Sequence, residues 1–477
     1  MPNESTRRNF LKISAIALAG TATASASGDA VANTASAPPS GKLEVWVTSQ
    51  SVRCTKANAI QWQTRSAGST ATLIALDPAK QFQTVLGFGA ALTDASCYML
   101  NQLSPSAREK LLHEMFHPSE MGLNVCRICM GASDYSTSVY SYDEGEPDPN
   151  LERFSIEHDR AYILPVLREA RAANPELFLF SSPWSPPGWM KSSGTMLGGS
   201  MRRRYIPNYA QYFIKFLRAY AAEGVPVQAV TPQNEVDTDQ DGRMPACIWP
   251  QEYEIEFVQK LGPSLRENGL NTQIWILDHN YNLWGRAVCE IDNPAVRQYS
   301  NAVAWHGYVG GAEMMAKFRE FHPDAAMHWT EGGPDYTSPD YLTDWAHWSN
   351  TFSDVLRNGC ESITAWNIAL DEQGRPNIGP FPCGGVVTIN SQSKEITRSG
   401  QYWAFAQFAR FIRRGAKRFA TQSAAADLGH VAVGNPDGSS VLVLTNKGPA
   451  RSASVQLGAR FAEVPLEENS VTTLVWS

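Results

Sequence analysis

Between about Gln83 and Ile396, short apolar runs alternate with longer stretches whose apolar positions recur every three or four residues. The runs read as strands near Thr84–Gly89, Val125–Met130, Phe178–Ser181, Ala229–Thr231, Gln273–Leu277, Val303–Trp305, Met327–Thr330 and Ser362–Trp366. The periodic stretches between them read as amphipathic helices, among them Ser106–Phe116, His158–Ala172, Asn208–Glu223 and Pro250–Asn268. Such alternation is the pattern of parallel β/α units. Eight strands in one series predict an α/β fold of the (β/α)8 TIM-barrel type, over residues 82–398, with its functional face at the C-terminal ends of the strands.

The two flanks have a different pattern. Glu44–Thr48 and Thr72–Leu76 are β-branched or apolar without helical period. The tail matches them: His430–Gly434, then Asn435-Pro436-Asp437-Gly438, then Ser440–Thr445 predict a hairpin, and Ser470–Trp476 a further strand. Residues 43–81 and 399–477 are therefore expected to build one β-sandwich from both chain ends.

Ahead of these lies Ser5-Thr6-Arg7-Arg8-Asn9-Phe10-Leu11-Lys12, which matches a twin-arginine export signal. The apolar stretch from Ile13 to Ala19 is well short of the ~20 residues of a membrane span. Small-residue cleavage options follow at Ala24-Ser25-Ala26 and Ala30-Val31-Ala32. Residues 1–32 are thus expected to be a signal peptide and 33–42 a linker, with export to the periplasm or the extracellular space and no stable membrane insertion.

Composition narrows the partners. The 477 residues are 43% hydrophobic and 18% charged, enough for a large core. With 40 Lys+Arg against 47 Asp+Glu the net charge is −7, and without a long basic run nucleic acid is a poor partner. Fourteen Trp and 16 Tyr suit stacking on sugar faces, although core packing uses them too. Eight cysteines are too sparse for a disulfide scaffold. Cys126 and Cys129, three apart on a strand, face opposite sides.

The candidate chemistry lies at two strand tips. Ala229-Val230-Thr231-Pro232-Gln233-Asn234-Glu235 runs an apolar strand into a turn ending on a glutamate. Met327-His328-Trp329-Thr330-Glu331 does the same before Gly332-Gly333. In the barrel count these are strands 4 and 7, on opposite sides of the mouth. Two carboxylates so placed suit glycoside hydrolysis, one protonating and one attacking. A glutamate in a polar loop is ordinarily just solvated, so the pair gains weight from its surroundings. Arg127 interrupts the apolar strand Val125–Met130, and a buried guanidinium requires a carboxylate partner. It is expected to point inward with Val125 and Cys129, toward the glutamates. Asp134, Trp184, His306, Tyr308 and Trp366 stand at the same ends of neighbouring strands.

Other motif matches fail on context. His113-Glu114-Met115-Phe116-His117 fits H-E-x-x-H, yet Pro118 follows at once and the apolar neighbours leave both histidines outward. Gly87-Phe88-Gly89 lacks the third glycine of a dinucleotide turn, having Leu92 there. Asp237-Thr238-Asp239-Gln240-Asp241-Gly242 begins like a calcium loop but has Ile248 at position 12, leaving a candidate structural cation site against the default of a polar loop. No resident metal or cofactor is expected.

Taken together, these segments resemble glycoside hydrolase family 30, which contains glucosylceramidases and β-1,6-glucanases. The likeness rests on Gly87–Asp94, Cys126-Arg127 through Ser133-Asp134-Tyr135, Ser182-Pro183-Trp184-Ser185-Pro186-Pro187-Gly188-Trp189, Val230–Glu235, Trp305-His306-Gly307-Tyr308, Glu331 and Trp366–Leu370. The resemblance implies a barrel fused to a β-sandwich and retention of anomeric configuration. It implies Glu235 as acid/base and Glu331 as nucleophile, with Arg127, Asp134, Trp184, Asn234, Tyr308 and Trp366 around the sugar. Burial and the neighbouring carboxylate are then expected to raise the pKa of Glu235, while Arg127 keeps Glu331 ionised. Val236-Asp237-Thr238-Asp239 after the acid, and Gly307, depart from the family pattern on the aglycone side. The expected activity is hydrolysis of β-glucosides in a glucosylceramidase-like manner, with β-1,6-glucanase, β-xylosidase or β-fucosidase action as alternatives. A non-catalytic sugar-binding barrel is the rival from another class, and it leaves the two glutamates unexplained.

Overall fold

The computed structural model describes residues 41–64 and 72–477; the segment expected to be a signal peptide and most of the expected linker lie outside them. The chain opens on β1 (Lys42–Thr48), β2 (Thr55–Gln61) and β3 (Thr72–Thr84). Inward Leu43 and Val45 alternate with exposed Lys42 and Glu44, the period-two pattern of a half-buried strand.

A parallel barrel follows: β4 (Gly87–Ala91), β5 (Val125–Cys129), β6 (Phe178–Ser182), β7 (Ala229–Val230), β8 (Gln273–Ile274), β9 (Ile276–Asn280), β10 (Ala302–His306), β11 (Ala326–Glu331) and β12 (Ser362–Asn367). β12 pairs with β4, closing one side. The other side closes through a single bent strand. β8 pairs with β7, β9 pairs with β10, and only Trp275 separates the two pieces. Eight strand positions therefore exist, as expected, but the fifth is kinked. Leu277 and Asp278 hold φ of 74° and 48° there, and the Leu277 N–H donates to Glu254 Oε1 rather than to a neighbouring strand.

Trp275 explains the kink's register. It is fully buried in the barrel floor with Val125, Phe180, Ala229, Ala302 and Ala304, and stacks on His328 at 3.7 Å. Small alanines opposite large aromatics fill the lumen as a packed core. The first strand starts later than the expected Thr84, because residues 72–84 form one long strand of the flanking sheet. Gly89 sits so close to β5 that a Cβ would lie 1.8 Å from the Val125 carbonyl oxygen, which accounts for the Gly-Phe-Gly without any nucleotide.

The expected helices are present at Pro105–Phe116, Ile206–Ala222 and Gln251–Glu267, whereas the one expected over His158–Ala172 divides into Glu157–Arg160 and Ile163–Ala173. Ser104 caps Pro105–Phe116, its Oγ accepting from Ala107 N, with Pro105 in the first turn where its missing N–H costs nothing.

After β12 a small sheet of β13 (Ala369–Leu370), β14 (Val387–Ile389) and β15 (Ile396–Arg398) stands beside the mouth. Helix Gly400–Phe408 leads to β16 (Lys417–Ser423), β17 (Leu428–Gly434), β18 (Ser440–Asn446), β19 (Arg451–Leu457), β20 (Arg460–Leu466) and β21 (Ser470–Trp476). Both chain ends join in one set of nine strands, ordered β2-β1-β21-β18-β17-β16-β3-β19-β20. Their core draws on Leu43, Val45 and Ile74 from one end and Leu442, Val455, Val464 and Leu474 from the other. The predicted hairpin joins β17 to β18, with Gly438 at φ 87° in its turn. This sandwich docks on the barrel through buried contacts: Ser349 Oγ to Thr445 Oγ1 at 2.6 Å, and Gln407 Nε2 donating to Thr48 Oγ1 at 2.8 Å.

Candidate active site

A cavity of about 410 Å³ opens at the C-terminal ends of the barrel strands. Asp134, Trp184, Asn234, Glu235, Tyr308, Glu331 and Trp366 all line it. Of the nine residues singled out from sequence, Arg127 and His306 do not. Both are fully buried and stand behind the lining groups.

Arg127 projects inward from β5, as the strand alternation predicts. It donates to Glu331 Oε2, to Asp278 Oδ2 at 2.6 Å, to Asn234 Oδ1 at 2.8 Å and to Ser182 Oγ at 3.1 Å. Its guanidinium also lies 4.5 Å from the Trp184 ring centre. Burial would lower its pKa, but Asp278 and Glu331 more than reverse that. Four of its five N–H donors are used, two of them on carboxylates, so the charge is buried and compensated.

Asp278 is the group that sequence reasoning missed. It lies at the kink of the fifth strand, fully buried, and accepts from Arg127, Ser182 Oγ (2.7 Å), Thr231 Oγ1 (2.7 Å), Thr330 Oγ1 (2.8 Å) and His306 Nε2 (3.1 Å). Burial alone would raise its pKa; Arg127, His306 and Thr231 hold it far below the carboxylate range. His279 and Asn280 follow it into the cavity lining. The signal was the polar triplet Asp278-His279-Asn280 at a strand end, since Asp and Asn are poor strand formers.

Glu331 accepts from Arg127 and, through Oε1, from the Tyr308 hydroxyl at 3.0 Å. Glu235 Oε2 accepts from Gln240 Nε2 at 3.0 Å, while its Oε1 lies 3.5 Å from His306 Nδ1 and 3.7 Å from His279 Nδ1. His306 thus stands between the two glutamates, its Nε2 3.8 Å from Glu331 Oε2. Burial would lower the pKa of His306, but Glu331, Asp278 and Glu235 push it up to about 9. The consequence differs from the sequence expectation for Glu235. Burial does push that carboxyl upward, yet His306, His279 and Gln240 hold it below the ordinary range. Glu331 is the one that burial holds above it, against His306 and Arg127. The two glutamates and the imidazolium share their protons as one coupled set.

Asp134 completes the polar lining. It is 5% exposed, its Oδ1 has no hydrogen-bond partner among the described residues, and burial with the nearby glutamates raises its pKa well above the ordinary value. An unsatisfied buried carboxyl facing a cavity suits an incoming hydroxyl donor. Trp184 and Trp366 stack on each other at 4.8 Å, forming one apolar wall, and Phe381, Pro382 and Cys383 reach the rim from the segment after β13.

The rejected motifs fall elsewhere. Glu114 pairs with Arg398 at 2.6 Å and accepts from Tyr402, while His113 and His117 stack on each other. In the acidic loop, Asp237 turns to His279 at 2.5 Å and Asp241 to Arg243 at 3.5 Å, so their carboxylates do not gather. All eight cysteines are free, five of them buried.

A closed parallel barrel with a buried glutamate facing the same cavity as a partly exposed one, an arginine clamp and a tryptophan wall defines a sugar-processing barrel of the glycoside-hydrolase class. Residues 85–412 match the glycosyl hydrolase family 30 TIM-barrel domain, and 415–474 match the family 30 beta sandwich domain. The chain belongs to glycoside hydrolase family 30. It is 29% identical over 467 residues to a putative glucosylceramidase 4 of Caenorhabditis elegans, covering 92% of this chain and 89% of the relative. It is 32% identical over 422 residues to an endo-1,6-beta-D-glucanase of Neurospora crassa, covering 83% and 86%. A solved endo-beta1,6-glucanase superposes with a TM-score of 0.83 at 29% identity, over 92% of this chain and 100% of that one. No helix among the described residues is long and apolar enough to cross a membrane.

Proposed function

We propose that this protein is an exported, retaining β-glycosidase that cleaves β-glucosides by double displacement. The observation that carries the reading is the arrangement of Glu331 under Arg127 and Tyr308, facing the same cavity as Glu235. Glu331 attacks the anomeric carbon as the glycosidic C–O bond breaks, and Glu235 delivers to the leaving oxygen the proton it shares with His306. Water then attacks the glycosyl-enzyme, Glu235 takes its proton, and the Glu331 carboxylate is released. Asp134 accepts from sugar hydroxyls against the wall of Trp184 and Trp366. Export rests on Arg7-Arg8 and the apolar stretch after them.

The aglycone has two readings. A glucosylceramide-like lipid glucoside is supported by the C. elegans relative, and β-1,6-glucan by the N. crassa relative and the solved glucanase. The test is a panel of aryl β-glycosides, glucosylceramide and β-1,6-glucan, with the first-formed anomer followed by NMR. A β-configured glucose product supports the proposal; an α-configured first product, or no turnover of any β-glucoside, overturns it.

A further inference from the structure

Two histidines turn the same nitrogen toward the acid carboxylate, and neither is used up by its neighbours. His306 Nδ1 lies 3.5 Å from Glu235 Oε1 and makes no hydrogen bond among the described residues, although the ring is fully buried. His279 Nδ1 lies 3.7 Å from the same oxygen and also faces Asn280 Nδ2 at 3.4 Å. The three ligand atoms lie within 4.8 Å of one another. A tetrahedron with arms of ~2.0–2.1 Å has edges of about 3.3 Å, so small side-chain rotations close the set around an ion.

The far side of each ring is equally suited. His279 Nε2 is held by Asp237 Oδ1 at 2.5 Å, and His306 Nε2 by Asp278 Oδ1 at 3.1 Å. A carboxylate behind each imidazole fixes its orientation and raises its basicity, the outer arrangement that metal-binding histidines generally have. The cavity leaves a fourth position open.

We propose that Glu235, His279 and His306 form an inhibitory binding site for a borderline divalent transition ion such as Zn²⁺. Imidazole nitrogens select such ions over Mg²⁺, which prefers oxygen ligands. An ion held there displaces the Nδ1 proton of His306 to solvent and ties up the Glu235 carboxylate, so no proton remains for the leaving oxygen and the aglycone side is blocked. The inhibitory consequence rests on the acid role proposed above for Glu235; the binding itself does not.

The test is calorimetric titration of the EDTA-treated, full-length protein with Zn²⁺, alongside hydrolysis of an aryl β-glucoside. The expected result is one Zn²⁺ per chain, inhibition competitive with the glycoside, and no effect of Mg²⁺ at the same concentration. Asp237→Asn, which only removes the support behind His279, should weaken Zn²⁺ binding about 10–100-fold, and His279→Asn should weaken it further. Cys289→Ser, removing an exposed thiol that is a competing soft ligand, should leave the titration unchanged. Zn²⁺ affinity equal to wild type in both Asp237→Asn and His279→Asn, or lost in Cys289→Ser, overturns the site. Because calorimetry reads binding without turnover, the outcomes separate. An active hydrolase that binds no Zn²⁺ defeats this inference alone, whereas an inactive protein that binds one defeats only the hydrolase reading.

Discussion

The backbone N–H of Glu235 donates to the carbonyl oxygen of Asp278 at 3.1 Å, and both residues hold left-handed backbones, at φ 53° and 48°. Such a conformation costs of order 1–3 kcal/mol per non-glycine residue and persists only where the surroundings over-determine it. Here the tips of the fourth and fifth strands hold each other. The Asp278 side chain anchors Arg127, and the Glu235 side chain is turned into the cavity.

The two glutamates should fail differently. Glu331→Ala is expected to lose nearly all turnover on every substrate. Glu235→Ala should lose about 10²–10⁴-fold on substrates with poor leaving groups and much less on those with good ones. A 2-fluoro-sugar trap should label Glu331, read by peptide mass spectrometry. Label on another residue would contradict the assigned roles.

Arg127→Met leaves Asp278 and Glu331 buried without their cation. Breaking a buried pair in this way costs about 3–5 kcal/mol, so the urea midpoint should fall. Without the guanidinium the Glu331 carboxyl moves further up, and the acid limb of the pH–rate profile should shift to higher pH. An unchanged profile would separate Arg127 from the chemistry.

Lys191 is fully buried and donates to the carbonyls of Met196 and Ala246, both at 2.6 Å, tying the segment after β6 to the loop that carries Gln240 and Met244. Burial lowers its pKa to about 8, from 10.5 in the unfolded chain. Between those values the unfolded state binds more protons, so the ammonium's burial penalty is fully present below pH 8 and is relieved as pH rises toward 10.5. Chemical denaturation should show this upward contribution in the wild type and lose it in Lys191→Met. The same slope in both would assign the effect to other groups.

A chain stopped near Ser399 loses β16 to β21, the partners of β1 and β3. Unpaired edges and the apolar faces of Leu43, Val45 and Ile74 would be exposed, and such a fragment should aggregate. A soluble, fully active 42–399 fragment, tested by size-exclusion chromatography and assay, would make the sandwich dispensable.

His113→Ala should leave turnover within experimental scatter of the wild type, and EDTA should not reduce it. Activity lost on chelation and restored only by zinc would overturn the mechanism proposed for Glu235 and Glu331.

Strand and helix periodicity along residues 82–398, with period-two alternation at both ends, was enough to specify a barrel and a sandwich shared by the termini, because burial imposes those periods locally. The strand-tip glutamates and the inward face of Arg127 were legible for the same reason: alternate residues on a strand face the same side. Asp278 was not, since its place depends on Trp275 filling the barrel floor and on a backbone kink that no local pattern announces. Nor were the proton affinities of Glu235 and Glu331 accessible from spacing. They follow from an imidazole held between two carboxylates by a third. Electrostatic coupling depends on distance in space and on burial, and only the folded chain brings residues 127, 235, 278, 306 and 331 within that range.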